Sequence, residues 1–491
     1  MRRLLGVLAL LAALAVAGCG GHSTSEPDPL TSALSFLPRN ALFAAVVETD
    51  PGSDEVKGAL DLVRQFPGAP IALARVEDEL SGPGVTYRRD VEPLLGYPVA
   101  AAATGPHNGR YVVAGMAKDP AALRRVLAAA GRSGARQRGR RLGFTLYSAP
   151  REAFARAGTL VVAASDTPTL VAALERHARG RGLTPDVLDK ARGDLPETAL
   201  VSAYGNVARL LNRPGAARTQ RMPFLAALKG YALTVRGSAA GLTLDARLDT
   251  SGGTIDPADL PLATGPDVPA VAALPSHITI GLRDPAQVVG FAEGVLRATR
   301  PARAERLRSA IAAIRSGTGI RLDRVVARQL TGDSTISVNP ATRQVAARAT
   351  LQNPRAAQAA LARIAPTVPG LLTGAGVDGA SVRRVAPGLW DVRRNGRVVG
   401  GYGVSNDELV AGSVSPAALA AFATQPTKVD PDGAGAVSIR VPHAIVARAA
   451  ANAAGLPPAV SSLVLGRLGD LHGWVSNSTL GVRLSLRQDV R

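Results

Sequence analysis

One phrase recurs along this chain and limits what it can fold into. "VVETDPGSDEVKGAL", "GMAKDPAALRRVL", "ASDTPTLVAAL", "IGLRDPAQVVGFA", "TLQNPRAAQAAL" and "GSVSPAALAAF" each pass from apolar residues through Asp, Asn, Ser or Thr and Pro into an amphipathic stretch. An Asp, Asn or Ser side chain accepts hydrogen bonds from the free N–H groups of a first helical turn, and Pro suits that turn because it has no N–H to satisfy. Each phrase predicts a strand end followed by a helix start. Asp119, Asp284 and Asn353 are therefore expected as helix caps and not as catalytic groups. After Asp54, Val56, Ala59, Leu60 and Val63 share one helical face, with Glu55, Lys57, Asp61 and Arg64 opposite.

Between these helices lie short strand-like runs such as "ALFAAVVE", "YVVAGMA", "TLVVAAS" and "LTLDARL". "YALTVRGSAAGLTLDARLD" alternates on both sides of Gly237-Ser238 and reads as a hairpin. The order of the pieces then repeats. "RRLGFTLYSAPREAFARAGTLVVAASDTPTLVAALERHA" is matched by "APGLWDVRRNGRVVGGYGVSNDELVAGSVSPAALAAFAT", and "GYALTVRGSAAGLTLDARLDT" by "LHGWVSNSTLGVRLSLRQDV". The period is far longer than a solenoid repeat. The expected fold is α+β, with two duplicated domains, residues 36–250 and 270–491, each a mostly antiparallel sheet with amphipathic helices packed on one face. The Asp, Pro and Gly-rich stretch 251–269 is the expected linker.

The chain opens "MRRLLGVLALLAALAVAGCGG". Two arginines, an apolar run too short to cross a bilayer comfortably and a small-residue end predict a signal peptide over 1–18. Val16-Ala17-Gly18-Cys19 resembles a bacterial lipobox, in which the cysteine thiol takes a diacylglycerol after cleavage. Cys19 is the only cysteine, so the chain has no internal disulfide, cysteine zinc site or catalytic thiol. Residues 19–35 are the expected acylated tether, and the expected location is the outer face of the cell membrane.

The lipobox followed by "FLPRNALFAAVVETDPGSDEVKGALDLVRQFPG", Phe36 to Gly68, resembles the start of the actinobacterial lipoproteins catalogued as domain of unknown function 3352. In that family an "LP-x-x-A" phrase precedes a first strand, "DP" and a helix ending near "FPG". The resemblance implies a cell-envelope setting. It transfers no catalytic residues, because the family carries no established activity.

The formal charge is +19, carried almost wholly by arginine. Two readings stand: attraction to anionic headgroups or envelope polymers, or a GC-rich coding sequence that writes Arg for Lys. The loop "RSGARQRGRRLG" concentrates Arg132, Arg136, Arg138, Arg140 and Arg141 and is a candidate anion contact, with a solvated Gly/Arg turn as the plain alternative. The stretch expected to match it in the second domain, "PTVPGLLTGAGVDGAS", holds no arginine. Nucleic acid is not an expected partner of an exported chain with so few aromatic residues.

Signatures of chemistry are missing. There is no phosphate loop, His-Glu-x-x-His or Gly-x-Ser-x-Gly. His22, His107, His177, His277, His443 and His472 lack ligand spacing, so no metal and no cofactor is expected. Gly374, Gly376 and Gly379 form a Gly-x-Gly-x-x-Gly with a strand-like run where a dinucleotide site needs a helix, and Asp430 and Asp432 in "KVDPDGAGA" read as a turn. The expected role is non-catalytic binding or scaffolding, with membrane lipid, anionic envelope polymers or another envelope protein as partners. The rivals are a carrier holding a lipid in an apolar cleft and an enzyme whose site leaves no motif.

Cys19→Ala is expected to leave the protein unprocessed or to release it from membranes, as read by fractionation and mass spectrometry of the N-terminus. Unchanged acylation in that variant would overturn the anchor assignment.

Overall fold

The computed structural model describes residues 28–490 except 83, 104–108, 150–151, 208–221, 251–254, 273, 275, 322–328, 331, 375–377 and 455–464. The signal peptide, Cys19 and most of the tether lie outside the described residues, as does Gly376. The first half contains β1 (Phe43–Val47), β2 (Val99–Ala103), β3 (Tyr111–Met116), β4 (Arg136–Arg141), β5 (Phe144–Ser148), β6 (Ala153–Ala157), β7 (Leu160–Ala164), β8 (Val201–Asn206), β9 (Leu228–Ser238) and β10 (Gly241–Thr250). The second contains β11 (Ile278–Leu282), β12 (Ser334–Asn339), β13 (Gln344–Thr350), β14 (Ala380–Ala386), β15 (Leu389–Arg394), β16 (Arg397–Ser405), β17 (Glu408–Gly412), β18 (Val437–Val441), β19 (Leu468–Ser478) and β20 (Gly481–Val490). The described helices are α1 (Pro29–Leu34), α2 (Asp54–Arg64), α3 (Ala69–Leu80), α4 (Pro120–Arg132), α5 (Thr167–Ala178), α6 (Pro185–Arg192), α7 (Pro223–Ala227), α8 (Pro285–Thr299), α9 (Pro301–Thr318), α10 (Pro354–Ile364), α11 (Val368–Gly374), α12 (Pro416–Ala423) and α13 (His443–Ala454).

The recurring phrase behaves as helix-start chemistry predicts. Asp119, Asp166, Asp284, Asn353 and Ser415 cap α4, α5, α8, α10 and α12, each accepting from a backbone N–H of the first turn. The first phrase differs. Ser53 caps α2, while Asp50 folds its side chain onto Gly52 N at 3.0 Å and so makes a turn before the helix.

The fold is α+β, and every strand pairing is antiparallel. The first half runs in space β4-β5-β6-β7-β3-β2-β1-β8-β9-β10. The second runs β14-β15-β16-β17-β13-β12-β11-β18-β19-β20, the same order strand for strand. The last strands then pair with each other, so both halves share one 20-stranded sheet. Gly241 lies opposite Asp489 and Gly481 opposite Asp249, with Asp245 facing Ser485 between them. This reciprocal register makes the junction a pseudo-twofold axis.

In the first half, alternate strand residues such as Ala44, Ala100, Ala102, Val112, Ala114 and Val162 face α1, α5 and α6 and form the main core with Phe36, Leu37, Leu170 and Leu174. α12 takes the place of α5 in the second half, burying Leu419 and Phe422 over Ala346, Leu389 and Val410. α2 approaches β9 so closely that a Cβ on Gly58 would strike the carbonyl oxygen of Gly237. Both positions need glycine for that contact. The expected linker is packed, not loose. Ile255 and Leu260 are buried with Phe224 of α7 against Leu248 and Val482, and the Gln287 amide donates to the carbonyls of Pro257, Leu260 and Leu262.

The halves differ inside the core. Arg348 of β13 occupies the position of Ala114 in β3, and Glu408 of β17 that of Leu160 in β7. The buried Arg348 guanidinium meets Glu408 at 3.2 Å and donates to the carbonyls of Phe422, Ala423 and Gln425 at the end of α12. Carbonyls at a helix C-terminus run short of intrahelical partners, so a cation there serves them and the helix dipole together, although the Phe422 carbonyl also accepts from Gln425 N at 3.2 Å. Burial pushes the Arg348 pKa down and the Glu408 carboxyl up, with each charge pulling the other back.

Arg348→Ala is expected to destabilise the protein by about 3–5 kcal/mol, because it strands Glu408 and frees the helix carbonyls. The double variant Arg348→Ala/Glu408→Leu, which copies the first half, is expected to recover part of that loss. Chemical denaturation of both variants checks this; a double variant no more stable than Arg348→Ala contradicts the stranded-charge account.

Candidate functional site

The clearest departure from the duplication lies beside the junction, on the second-half strands. Pairing sets the correspondence: Tyr204 of β8 faces Ala44 and Ala232, and Arg440 of β18 faces Thr279 and His472 in the same places. In the first half Ala44, Tyr204 and Ala232 are core residues beneath Phe36 and Leu37. Tyr204 donates to the carbonyl of Arg39 at 2.8 Å, and burial pushes its pKa up to about 12, which keeps it a neutral donor. In the second half these positions hold Thr279, Arg440 and His472, and Thr234 is replaced by Trp474.

Two extended segments strap across this polar patch. Val271 and Lys428 exchange backbone hydrogen bonds at 2.9 and 2.8 Å. Val271 passes over β11 at Gly281, where a Cβ would collide with both Val271 and Ser438. Between strap and sheet lies an open cleft of about 270 Å³. His472 Nδ1 meets Asp430 Oδ2 at 2.8 Å, and its ring lies over Trp474 at 6.4 Å. Arg487 reaches Asp432 at 3.2 Å and Asp489 at 2.8 Å, while Arg440 is held by Asp470 at 2.7 Å. Lys428, Arg440 and Arg487 line the cleft with Asp430, Asp432 and Asp489, and Asp470 pairs with Arg440 beside it, so carboxylates outnumber cations by one.

Five buried hydroxyls, those of Thr234, Thr279, Ser337, Tyr402 and Ser438, have no hydrogen-bond partner among the described residues, and Thr279, Ser337 and Ser438 lie together on β11, β12 and β18. A buried hydroxyl without a partner costs about 1–3 kcal/mol. Ser438 lines the cleft, so its hydroxyl is placed to meet a bound polar group. Asp430, His472 and Ser438 carry the residue types of a hydrolytic triad, but the Ser438 hydroxyl leans toward Gly281, on the side of β18 away from His472. The arrangement is a set of donors and acceptors beside an aromatic ring, not an aligned nucleophile and base.

Sequence reasoning reads Asp430 and Asp432 as a turn, which they form, with Gly433 N donating to the Asp430 carbonyl at 3.2 Å. It misses that they also hold His472 and Arg487. The signal was available in the repeat itself: two aligned strands, one with Tyr and Ala on the inward positions and the other with Arg and His. No group of three or more metal-ligating side chains occurs among the described residues. A second cleft, of about 330 Å³, lies beside Arg39, Arg176, Arg179 and Arg181. Both clefts are bordered by charged side chains, whereas a lipid carrier expects a large apolar one.

The arginine-rich loop is corrected. Arg132 ends α4, and Arg136, Arg138, Arg140 and Arg141 belong to β4, an exposed strand at one edge of the sheet. Six polar or glycine residues in a row show no alternation, so only pairing with β5 reveals the strand. Its counterpart is β14 at the opposite edge, which carries Arg383 and Arg384, not the arginine-free stretch expected from the sequence. Both edge strands also contain a bulge, at Gln137/Gly139 and at Arg384/Ala386. Charge and bulges are the usual means of stopping edge-to-edge pairing.

No protein family matches the chain, and no curated protein matches it. Among solved structures it is similar to crystal form III of TP0453 at 15% identity, over 48% of this chain and 84% of that chain, with a TM-score of 0.28. Crystal form I of TP0453 aligns at 14% identity over 48% of this chain and 83% of that chain, with a TM-score of 0.27. At those scores the likeness adds nothing to the fold established by the strand pairings.

Replacing Arg136, Arg138 and Arg140 together by Thr is expected to produce concentration-dependent association through the β4 edge, read by analytical ultracentrifugation. A variant that stays at the parent's sedimentation coefficient at all concentrations contradicts an edge-guarding role.

Proposed function

We propose that the protein is an exported, lipid-anchored binding module on the outer face of the cell membrane, and that its second half holds a neutral, hydroxyl-rich ligand. The ligand class is a saccharide of the cell envelope, bound non-catalytically in the cleft under the Val271–Lys428 strap. One observation carries the reading: the fold accepts Ala44, Tyr204 and Ala232 at the positions where the second half places Thr279, Arg440 and His472. Packing alone does not require polar groups there.

Ligand chemistry follows from the lining. Arg440 and Arg487 are each already held by carboxylates, which leaves neither arginine free for a strong anion. Hydroxyl groups both donate and accept, so they can join paired arginines and aspartates without stranding either. The His472–Trp474 pair adds an aromatic flank for the apolar face of a sugar ring. Anchoring rests on the Cys19 sequence signal. No helix among the described residues is long and apolar enough to cross a membrane.

The chain has two tryptophans, Trp390 and Trp474. In a Trp390→Phe background, titration with neutral envelope glycan fragments is expected to change Trp474 emission. His472→Ala with Arg440→Tyr, the first-half residues, is expected to weaken binding at least about tenfold, or ~1.4 kcal/mol, in a variant that circular dichroism shows still folded at the titration temperature. Binding retained in that variant, or no response to any neutral glycan, would overturn the proposal.

A further inference from the structure

The second cleft sits at the root of the tether. Arg39 follows α1, Arg176 and Arg179 lie at the end of α5, and Arg181 follows it. The bridge between Pro38 and Gly182 and the 2.7 Å bond from Arg39 Nε to the Gly182 carbonyl hold the segments together. Ser35 Oγ meets His177 Nδ1 at 2.7 Å, which fixes the end of α1 to the same corner. Glu175 is the one carboxylate lining the cleft, and it is shared by Arg179 at 3.3 Å and by Arg141 of β4 at 2.6 Å. Arg39, Arg176 and Arg181 have no carboxylate within ion-pair distance among the described residues, although Arg176 donates to the Phe36 carbonyl.

Basic residues at a helix C-terminus have a plain role, since they offset the helix dipole. The repeat shows that this role does not account for the cluster. α12, the counterpart of α5, has no basic residue in its last turn, and buried Arg348 satisfies its carbonyls from below. Only the half that carries the tether concentrates arginines on the surface at this corner.

Position supplies the occupant. Cys19 lies nine residue steps before Asp28 at the start of α1. At ~3.5 Å per residue they extend at most about 32 Å. Electrostatic attraction to headgroups fades within about 8 Å at physiological salt, so a tether of this length can bring the corner into range but cannot carry it far away. We infer that Arg39, Arg176, Arg179 and Arg181 form a docking site for the phosphate headgroups of anionic lipids in the leaflet that holds Cys19. Guanidinium groups bind phosphate oxygens through paired N–H donors, which suits an open cleft with several arginines and one carboxylate. Burial lowers the Arg176 pKa while leaving it cationic at neutral pH, so it acts as a fixed charge at the cleft floor. The site orients the folded body on the membrane. It rests on the anchor reading above, and the test separates the two.

Cys19 is the only cysteine and its thiol is consumed by the lipid, so Ala172→Cys introduces a single free thiol at an exposed position beside the cluster. The acylated full chain, labelled there with a fluorophore, is placed in phosphatidylcholine vesicles with or without phosphatidylglycerol, both carrying headgroup nitroxide quenchers. Quenching is expected to rise several-fold with phosphatidylglycerol and to reverse at about 0.5 M NaCl, where screening is nearly complete. Arg179→Gln with Arg181→Gln is expected to abolish the rise. Arg303→Gln with Arg306→Gln, an equal charge loss on exposed α9, is expected to leave it. Equal quenching in both vesicles, or equal loss in both double variants, would overturn the docking site. Vesicle flotation in high salt reads the anchor alone: a chain that floats without preferential quenching keeps the anchor and loses the site, and a chain that fails to float loses the anchor.

Discussion

The structure depends on the antiparallel pairing of β10 with β20. Each strand is the last of its half, and each would otherwise leave a long edge open to association. Paired reciprocally, they close both edges at once and turn two similar sheets into one. Asp245 sits at the axis, buried, accepting from Arg236 of its own half at 3.0 Å and from Ser485 of the other at 2.7 Å. Asp194 does the same nearby, meeting Arg247 and Arg483 at 2.9 Å each. These charged contacts cross the junction on one face while Phe224, Ile255 and Leu260 pack against Leu248 and Val482. The ladder supplies rigidity, and the side chains on either face supply register.

Duplication gives the molecule an internal control. Where both halves keep the same kind of residue, as with the arginines and bulges of β4 and β14, the fold explains it: each is an exposed edge that has to be blunted. Where one half departs, the fold alone does not. Arg348 and Glu408 replace Ala114 and Leu160, yet the departure is answered locally by the uncapped end of α12. Arg440 and His472 are answered by Asp470 and Asp430, but the hydroxyls of Thr279, Ser337 and Ser438 stay unpartnered among the described residues. The arginines around Arg39 depart too, on the half next to the tether.

Local chemistry was legible in the sequence and long-range chemistry was not. Asp119, Asp166, Asp284, Asn353 and Ser415 could be assigned as caps because a cap and its partner lie within three residues. The β9–β10 hairpin and the repeated strand order followed from alternation. β4 escaped because RQRGRR has no apolar face to alternate. Fusion of the halves escaped because alternation says which face a residue takes, not which strand lies beside it. The cleft escaped for a related reason: Asp430 and His472 are 42 residues apart, and no motif spacing links them. Asp430 looked like a turn residue and is one, and its second role depends on a strand that arrives later in the chain.

A single sheet also fixes how the two proposed sites relate. The arginine corner reaches from Glu175, joined to Arg141 of β4, to Arg39, whose carbonyl accepts from Tyr204 of β8, and the cleft lies at β18 and β19. Four strand spacings separate β8 from β19, so the two sites are roughly 19 Å or more apart along the sheet. Flexibly linked domains would let that distance vary. Here Ile255 and Leu260 of the linker pack against Leu248 and Val482, one from each half, and β10 pairs directly with β20. A body held by headgroups at the arginine corner would therefore carry the cleft at a fixed separation from that contact. The two proposals together assign unequal uses to two equal folds: one copy would fix the position, and the other would be free to carry the polar groups that recognise a ligand.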